Sequence, residues 1–288
     1  MKTQKVWFIT GASRGFGLEI AKAALAAGDQ VVATVRSQPA QLATTLHNHS
    51  SLYVVQMDVT HEDQVQEAVE QGIARFGRVD VLVNNAGFGM VTAIEEATDA
   101  EVRKQYDTNV FGLLNVTRAV LPYLRQQKSG QIINITSLFG YDAIPGWGLY
   151  GSTKFAVEGI SKGLAVELAP LGIHVTAVAP GLFSTEFLST ESYVAAETII
   201  ADYQQTVEPM RSGADALHGH QPGDPKKLAQ VILQLANTEH PPVHLPVGKD
   251  AVDFYRNNAA KTAEQIESWR LVSVSTDHDH RAMAATVA

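Results

Sequence analysis

Residues 5–17 read Lys5-Val6-Trp7-Phe8-Ile9-Thr10-Gly11-Ala12-Ser13-Arg14-Gly15-Phe16-Gly17. A short apolar run passes directly into a glycine-rich turn, and then into a helical pattern from Phe16 to Ala27 that stops at Gly28. Glycines let a backbone turn tightly and approach a pyrophosphate closely. The helix behind them offers unpaired N–H groups and the positive end of its dipole. Glycine-rich turns are common by themselves. The position between a strand and a helix is what points to a bound dinucleotide.

The same alternation continues outward. Gln30–Val35 and Leu52–Gln56 read as strands, and His61–Phe76 as an amphipathic helix stopped by Gly77. Val79–Asn84, Gln131–Thr136 and His174–Ala179 are further apolar strands, with a seventh near Val243–Pro246. Asp99–Gln127 reads as one long helix and Tyr150–Leu168 as another, ended near Pro170 and Gly172. Apolar strands alternating with helices form a parallel sheet covered on both faces, with right-handed crossovers. The predicted fold is α/β: a Rossmann-like doubly wound parallel sheet of about seven strands, order 3-2-1-4-5-6-7, with helices on both faces. Residues 182–224 break this rhythm. They read as partly helical (Ser192–Tyr203) and otherwise Gly/His/Pro-rich, as a lid or binding loop would be.

Composition narrows the chemistry. The chain has 288 residues, 45% of them hydrophobic, with a net charge of −8. That balance argues against nucleic acid or an anionic membrane as partner. With no cysteine, thiolate metal sites, cysteine nucleophiles and disulfides are excluded. No segment is apolar and long enough to span a bilayer and no signal-peptide pattern precedes the first strand, so the expectation is a cytoplasmic protein. His218-Gly-His220 and His278-Asp-His280 lack the spacing of a preformed metal site, and no metal is expected. Trp7 and Trp269 are read as packing residues.

Three residues carry the reaction chemistry. Tyr150 and Lys154 stand one helical turn apart in Tyr-Gly-Ser-Thr-Lys, and Ser137 precedes them in Asn-Ile-Thr-Ser. A cation beside a phenol favours phenolate and brings it toward the range of a general acid or base. A serine hydroxyl can hold the oxygen that gains or loses the proton. The second strand ends Thr34-Val35-Arg36, with no carboxylate for ribose hydroxyls. Arg36 and Arg14 are instead suited to a 2′-phosphate, so NADP(H) is expected over NAD(H).

The Gly-x-x-x-Gly-x-Gly spacing and the Ser137/Tyr150/Lys154 set together resemble the short-chain dehydrogenase/reductase family. Asn84-Asn85-Ala86-Gly87, Asp58-Val59, Asn109 and Pro180-Gly181-Leu182-Phe183-Ser184-Thr185 follow the family's motifs in order, over roughly residues 5–250. The resemblance implies that Tyr150 is the acid/base and that Lys154 also bonds the nicotinamide ribose. It implies that Ser137 polarises the substrate oxygen and Asn109 holds a water linking Lys154 to solvent. It implies a cofactor site of Gly11, Ser13, Arg14, Gly15, Phe16, Gly17, Arg36, Asp58, Val59, Asn85, Ala86, Gly87, Tyr150, Lys154, Pro180, Gly181, Phe183 and Thr185. His240–Ala251 resembles the C-terminal stretch of hydroxysteroid and retinol dehydrogenase relatives.

Large apolar residues flank these motifs. Phe88, Phe139, Tyr141, Trp147, Leu182 and Phe187, with Ser137, are expected to bind substrate; Met90, Leu138, Leu149 and Tyr193 are further candidates. The expected substrate is a small apolar ketone, aldehyde or alcohol. Residues 1–274 are expected to form one NADP(H)-binding oxidoreductase domain with 182–224 as its lid, and 275–288 a flexible tail. The family implies a homodimer or homotetramer. Two alternatives stand beside this reading: a catalytically silent dinucleotide-sensing regulator on the same fold, and a family epimerase or dehydratase.

Overall fold

Val6–Ile9 forms the central strand β1, and its alternation feeds both faces of the sheet. Trp7 and Ile9 enter one core layer and Phe8 the other. The computed structural model describes residues 4–188, 193–195, 198–217 and 219–278. The strands that follow are β2 (Gln30–Val35), β3 (Leu52–Gln56), β4 (Val81–Asn84), β5 (Gly89–Val91), β6 (Gly130–Ile135), β7 (Ile173–Pro180), β8 (Tyr193–Ala195) and β9 (His244–Val247). The helices are α1 (Gly15–Ala26), α2 (Pro39–Thr45), α3 (Glu62–Phe76), α4 (Asp99–Tyr106), α5 (Leu113–Gln127), α6 (Gly148–Leu168), α7 (Glu208–Leu217), α8 (Pro225–Ala236) and α9 (Lys249–Val274).

Seven strands make one parallel sheet in the order β3-β2-β1-β4-β6-β7-β9, the topology expected. Ile20 and Ala24 of α1 and Leu228 and Ile232 of α8 cover the face of Trp7 and Ile9. Val65 and Val69 of α3 and Val116, Val120 and Leu124 of α5 cover the face of Phe8. Both faces are therefore dry, which is why these strands read as unbroken apolar runs. The strand order reverses between β1 and β4, so the loops after β1 and β4 diverge and leave a crevice at the carboxyl ends.

Three features depart from the sequence expectations. The span 99–127 is not one regular helix: a π-helical segment, Asp107–Gly112, separates α4 from α5. Asn109 in that segment is drawn inward, where Oδ1 accepts from Phe88 N at 3.1 Å and Nδ2 donates to Phe88 O at 2.9 Å. The described residues of Ser192–Tyr203 are not mainly helical either. β8 pairs in parallel with β5 to form a separate two-stranded sheet, and among the described residues of the span Ala201–Tyr203 alone makes a short 3₁₀ turn. The helix of the insertion lies later, at α7. Buried Glu96 fastens this insertion: it accepts from Ile200 N at 3.0 Å and pairs with Arg211 of α7. Finally, Trp7 is fully buried as expected, but Trp269 is 65% exposed on the outer turns of α9, so it is not a packing residue within this chain. The expected tail, residues 275–288, lies outside the described residues from 279 onward.

Candidate active site

The glycine turn is built as its sequence requires. Gly11 and Gly15 sit at φ of +65° and +55°, in the left-handed region that a side chain strains. Gly17 has no room for a Cβ: it would overlap the Gly11 carbonyl oxygen and lie 2.7 Å from Asn85 Nδ2. The turn is tied to the loop after β4. Thr10 Oγ1 accepts from the backbone N–H of Asn85 and of Ala86, each at 3.0 Å, and Asn85 Nδ2 donates to Thr10 O and Gly11 O, also at 3.0 Å. No side chain caps the start of α1, and its first turn carries no acidic residue. Its orphan N–H groups therefore face the turn with the positive dipole end behind them.

A cleft of about 240 Å³ opens on this turn. Of the expected cofactor residues, Gly11, Ser13, Arg14, Gly15, Phe16, Arg36, Val59, Asn85, Ala86, Gly87 and Thr185 line it. Gly17 does not; it lies behind the turn and lets α1 close on it. Asp58 is also outside the lining, because its Oδ1 accepts from Thr60 N at 2.9 Å and Thr60 Oγ1 at 2.8 Å, while Met57 and Val59 face the cleft. Lys104 of α4 and Thr108 of the π segment line it too, and nothing in their sequence surroundings marks them.

A second, more apolar pocket of about 350 Å³ holds Ser137, Tyr150 and Lys154. Phe139, Trp147, Leu182 and Phe187 line it as expected, as do Leu138, Pro180, Gly181 and Phe183. Phe139 stacks on Trp147 at 5.1 Å, and Phe187 lies 5.5 Å from the Tyr150 ring. Two expected substrate residues do not belong here. Tyr141 turns outward onto Tyr255 of α9, ring centroids 4.4 Å apart, and Phe88 lines the glycine cleft instead. Met90 is core and Leu149 is not in the lining; the Tyr193 side chain lies outside the described residues. Residues missed in the sequence are Ile144, Pro209, Met210 and Gln221. Gln221 is 7% exposed, and both its amide atoms lack a hydrogen-bond partner. The two cavities share Phe16, Asn85, Gly87, Thr185 and Phe187, so they adjoin one another along these residues.

α6 places Tyr150 and Lys154 one turn apart, and the end of β6 delivers Ser137. Burial pushes the Tyr150 phenol up, and a hydrogen bond with Ser137 pulls it back. Burial pushes the Lys154 ammonium down to about 8, opposed by the Glu158 carboxylate one turn further on. Lys154 Nζ donates to Ile135 O at 2.9 Å and stands 5.6 Å from the Tyr150 ring centroid. The expectation that Lys154 pulls the phenol down is not met here, because the group opposing burial at Tyr150 is Ser137. Both Nδ2 hydrogens of Asn109 are used, by Phe88 O and by Thr153 Oγ1 at 3.1 Å.

Among the described residues no group of three or more His, Cys, Asp or Glu could hold a metal, and no helix is long and apolar enough to cross a membrane. His218 and His280 lie outside the described residues.

A doubly wound sheet with a glycine turn at its switch point and a serine, tyrosine and lysine beside it defines a nucleotide-dependent oxidoreductase architecture. The short chain dehydrogenase family model matches residues 5–193, and the chain belongs to that family. It is 39% identical to an oxidoreductase, BOA17, of Botryotinia fuckeliana over 94% of this chain and 99% of that one. A solved short-chain dehydrogenase from Streptomyces avermitilis superposes with a TM-score of 0.89 at 39% identity, covering 96% of this chain and all of that one. ElxO, solved with NADP bound, matches with a TM-score of 0.73 at 31% identity, covering 87% of this chain and all of that one. Solved members are recorded with NADP and with NADH.

Proposed function

We propose that the chain is an NADP(H)-dependent oxidoreductase that interconverts a ketone or aldehyde with an alcohol on a largely apolar substrate. The observation that carries this reading is the shared wall. Ser137, Tyr150 and Lys154 stand in an apolar pocket that adjoins the glycine cleft through residues common to both linings. The residues fit a nicotinamide dinucleotide: a cradle too tight for any side chain at Gly17, an uncapped helix start, and Arg14 and Arg36 along the same cleft. When bound, the reduced nicotinamide supplies a hydride.

The chain's own residues handle the proton. A buried phenol held neutral is suited to act as an acid, and Tyr150 gives its proton to the carbonyl oxygen. Ser137 orients that oxygen and polarises the carbonyl. Lys154, 5.6 Å from the ring centroid, is the cation beside the phenolate left behind. In the oxidative direction the phenolate takes the alcohol proton. Thr185 and the backbone near Phe183 would hold the carboxamide end of the cofactor, and the aromatic wall would keep water from it. A panel of apolar ketones and aldehydes offered with NADPH or NADH tests the reading. Net NADPH oxidation with members of the panel supports it, and none with any of them contradicts it.

Arg36 decides the cofactor. NADPH is expected to bind about tenfold or more tightly than NADH, and Arg36→Asp to lose that preference, because a carboxylate repels the 2′-phosphate that a guanidinium grips. Fluorescence titration of both cofactors reads this directly, and equal affinity in the wild type would sink it. Self-association belongs to the same proposal. Phe111, Phe155 and Val166 are 53%, 44% and 77% exposed on the π segment and α6, apolar surface suited to a second copy.

A further inference from the structure

The end of β6 is held from behind by a buried polar network that the reaction described above does not use. Three consecutive residues each have a partner. Ile135 O accepts from Lys154, the Thr136 hydroxyl lies 2.7 Å from Glu158 Oε1 and 3.0 Å from Val178 O, and Ser137 O accepts from Tyr255 OH at 3.4 Å. Glu158 is 5% exposed, one turn beyond Lys154 on α6. Its second oxygen, Oε2, meets His244 Nδ1 at 2.9 Å. His244 comes from β9 and its ring lies 4.5 Å from that of Tyr255 on α9. Both residues fall outside the segment matched by the family model.

The chemistry of each atom fixes its role. A carboxylate only accepts, so His244 Nδ1 carries the hydrogen. His244 Nε2 is buried with no partner, so a ring protonated there would bury an unpaired N–H. A neutral imidazole satisfies Glu158 Oε2 without cancelling its charge. Of the groups around Lys154, Tyr150 and Ser137 are neutral hydroxyls and Asn109 is an amide; Glu158 is the charged side chain that acts on the ammonium. Around Glu158 stand Thr136 of β6, His244 of β9 and Tyr255 of α9, none of them carrying a compensating full charge when the ring is neutral.

We propose that Glu158, one turn beyond Lys154 on α6 and braced by His244, is a positioning residue: through Thr136 it holds the strand end that carries Ser137 and the Ile135 carbonyl taken by Lys154, and it sets a negative charge on the side of that ammonium. The inference rests on the reading of Lys154 as the cationic partner of Tyr150. It makes the C-terminal β9–α9 segment part of the active site's support, through His244 and Tyr255, which do not line the pocket.

The test reads Lys154 itself. In protein carrying ¹³C-labelled lysine, the Lys154 side-chain resonance is assigned by its absence from Lys154→Arg and titrated in wild type and Glu158→Gln. Glu158→Gln keeps the shape and deletes the charge. Its Lys154 midpoint is expected to fall by about one pH unit or more, since an opposite charge nearby favours the charged form. The alkaline limb of kcat/KM with NADPH is expected to move down with it. A midpoint within experimental error of the wild type overturns the proposal. Should Glu158→Gln not fold, Glu158→Met/His244→Phe replaces the buried pair by apolar groups and removes the same charge. The same fall then supports the proposal and an unmoved midpoint overturns it. Wild-type NADPH turnover is measured separately, so failure of this inference leaves the oxidoreductase reading standing, and failure of turnover does not decide the titration.

Discussion

Tyr150→Phe is expected to lower kcat by about 10²–10⁴-fold, with NADPH affinity changed by no more than roughly threefold. The substitution keeps the ring, and with it the contacts to Phe139, Trp147 and Phe187, and removes only the hydroxyl. The ring accounts for nearly all of the residue's packing, so stability should change little. The hydroxyl is the group that bonds Ser137 and faces the pocket from the burial that keeps it protonated. A loss confined to kcat would mark an interaction made in the transition state. Steady-state kinetics with any ketone that the wild type reduces, paired with a fluorescence titration of NADPH, separates the two quantities. Turnover within a few-fold of the wild type would remove Tyr150 from the mechanism.

Gly17→Val is expected to destabilise the fold by roughly 1–3 kcal/mol and to abolish the thermal stabilisation that NADPH gives the wild type. The atoms in the way are the Gly11 carbonyl, Ala12 Cα and the Asn85 amide. The first two are backbone and cannot rotate aside. The third is fixed by hydrogen bonds to Thr10 O and Gly11 O. Relief requires α1 to back away from the turn, which breaks the tie between the β1 and β4 loops and moves the uncapped helix start off its target. Thermal melts with and without NADPH read both effects. A variant with wild-type melting and a wild-type NADPH shift would show that the close approach is dispensable.

The sheet was legible in the sequence because its strands are buried on both faces and its helices end at glycines such as Gly28 and Gly77. Those local signals agree with the global fold. The glycine turn and the Tyr150–Lys154 spacing were legible for the same reason, since each is set by one turn of backbone. What escaped depends on contacts between distant segments. β5 and β8 have three residues each and are defined only by their pairing across more than a hundred positions. The π segment follows from Asn109 reaching Phe88, which no helical periodicity announces. The insertion takes its shape from Glu96, an acidic residue with nothing in its own neighbourhood to mark it as an anchor.

Flanking position proved a weak guide to the pocket. Phe139 and Tyr141 are two residues apart, yet one lines the pocket and the other packs at a tilt on Tyr255, because a 3₁₀ turn at Leu138–Gly140 redirects the chain. Gln221, Met210 and Pro209 reach the pocket from the insertion, whose course the sequence did not define. Lys104 reaches the glycine cleft from the side of α4, an ordinary surface lysine by pattern.

The central claim is that a hydride moves from NADPH to a carbonyl carbon while Tyr150 supplies the proton. It is tested most directly by running the ketone panel with NADPH deuterated at nicotinamide C4 and analysing the product alcohol by mass spectrometry. The account predicts one deuterium at the carbinol carbon from one face of the cofactor, with product formation lost in Tyr150→Phe. Tight NADPH binding with no deuterium in any product, or undiminished transfer by Tyr150→Phe, would contradict it.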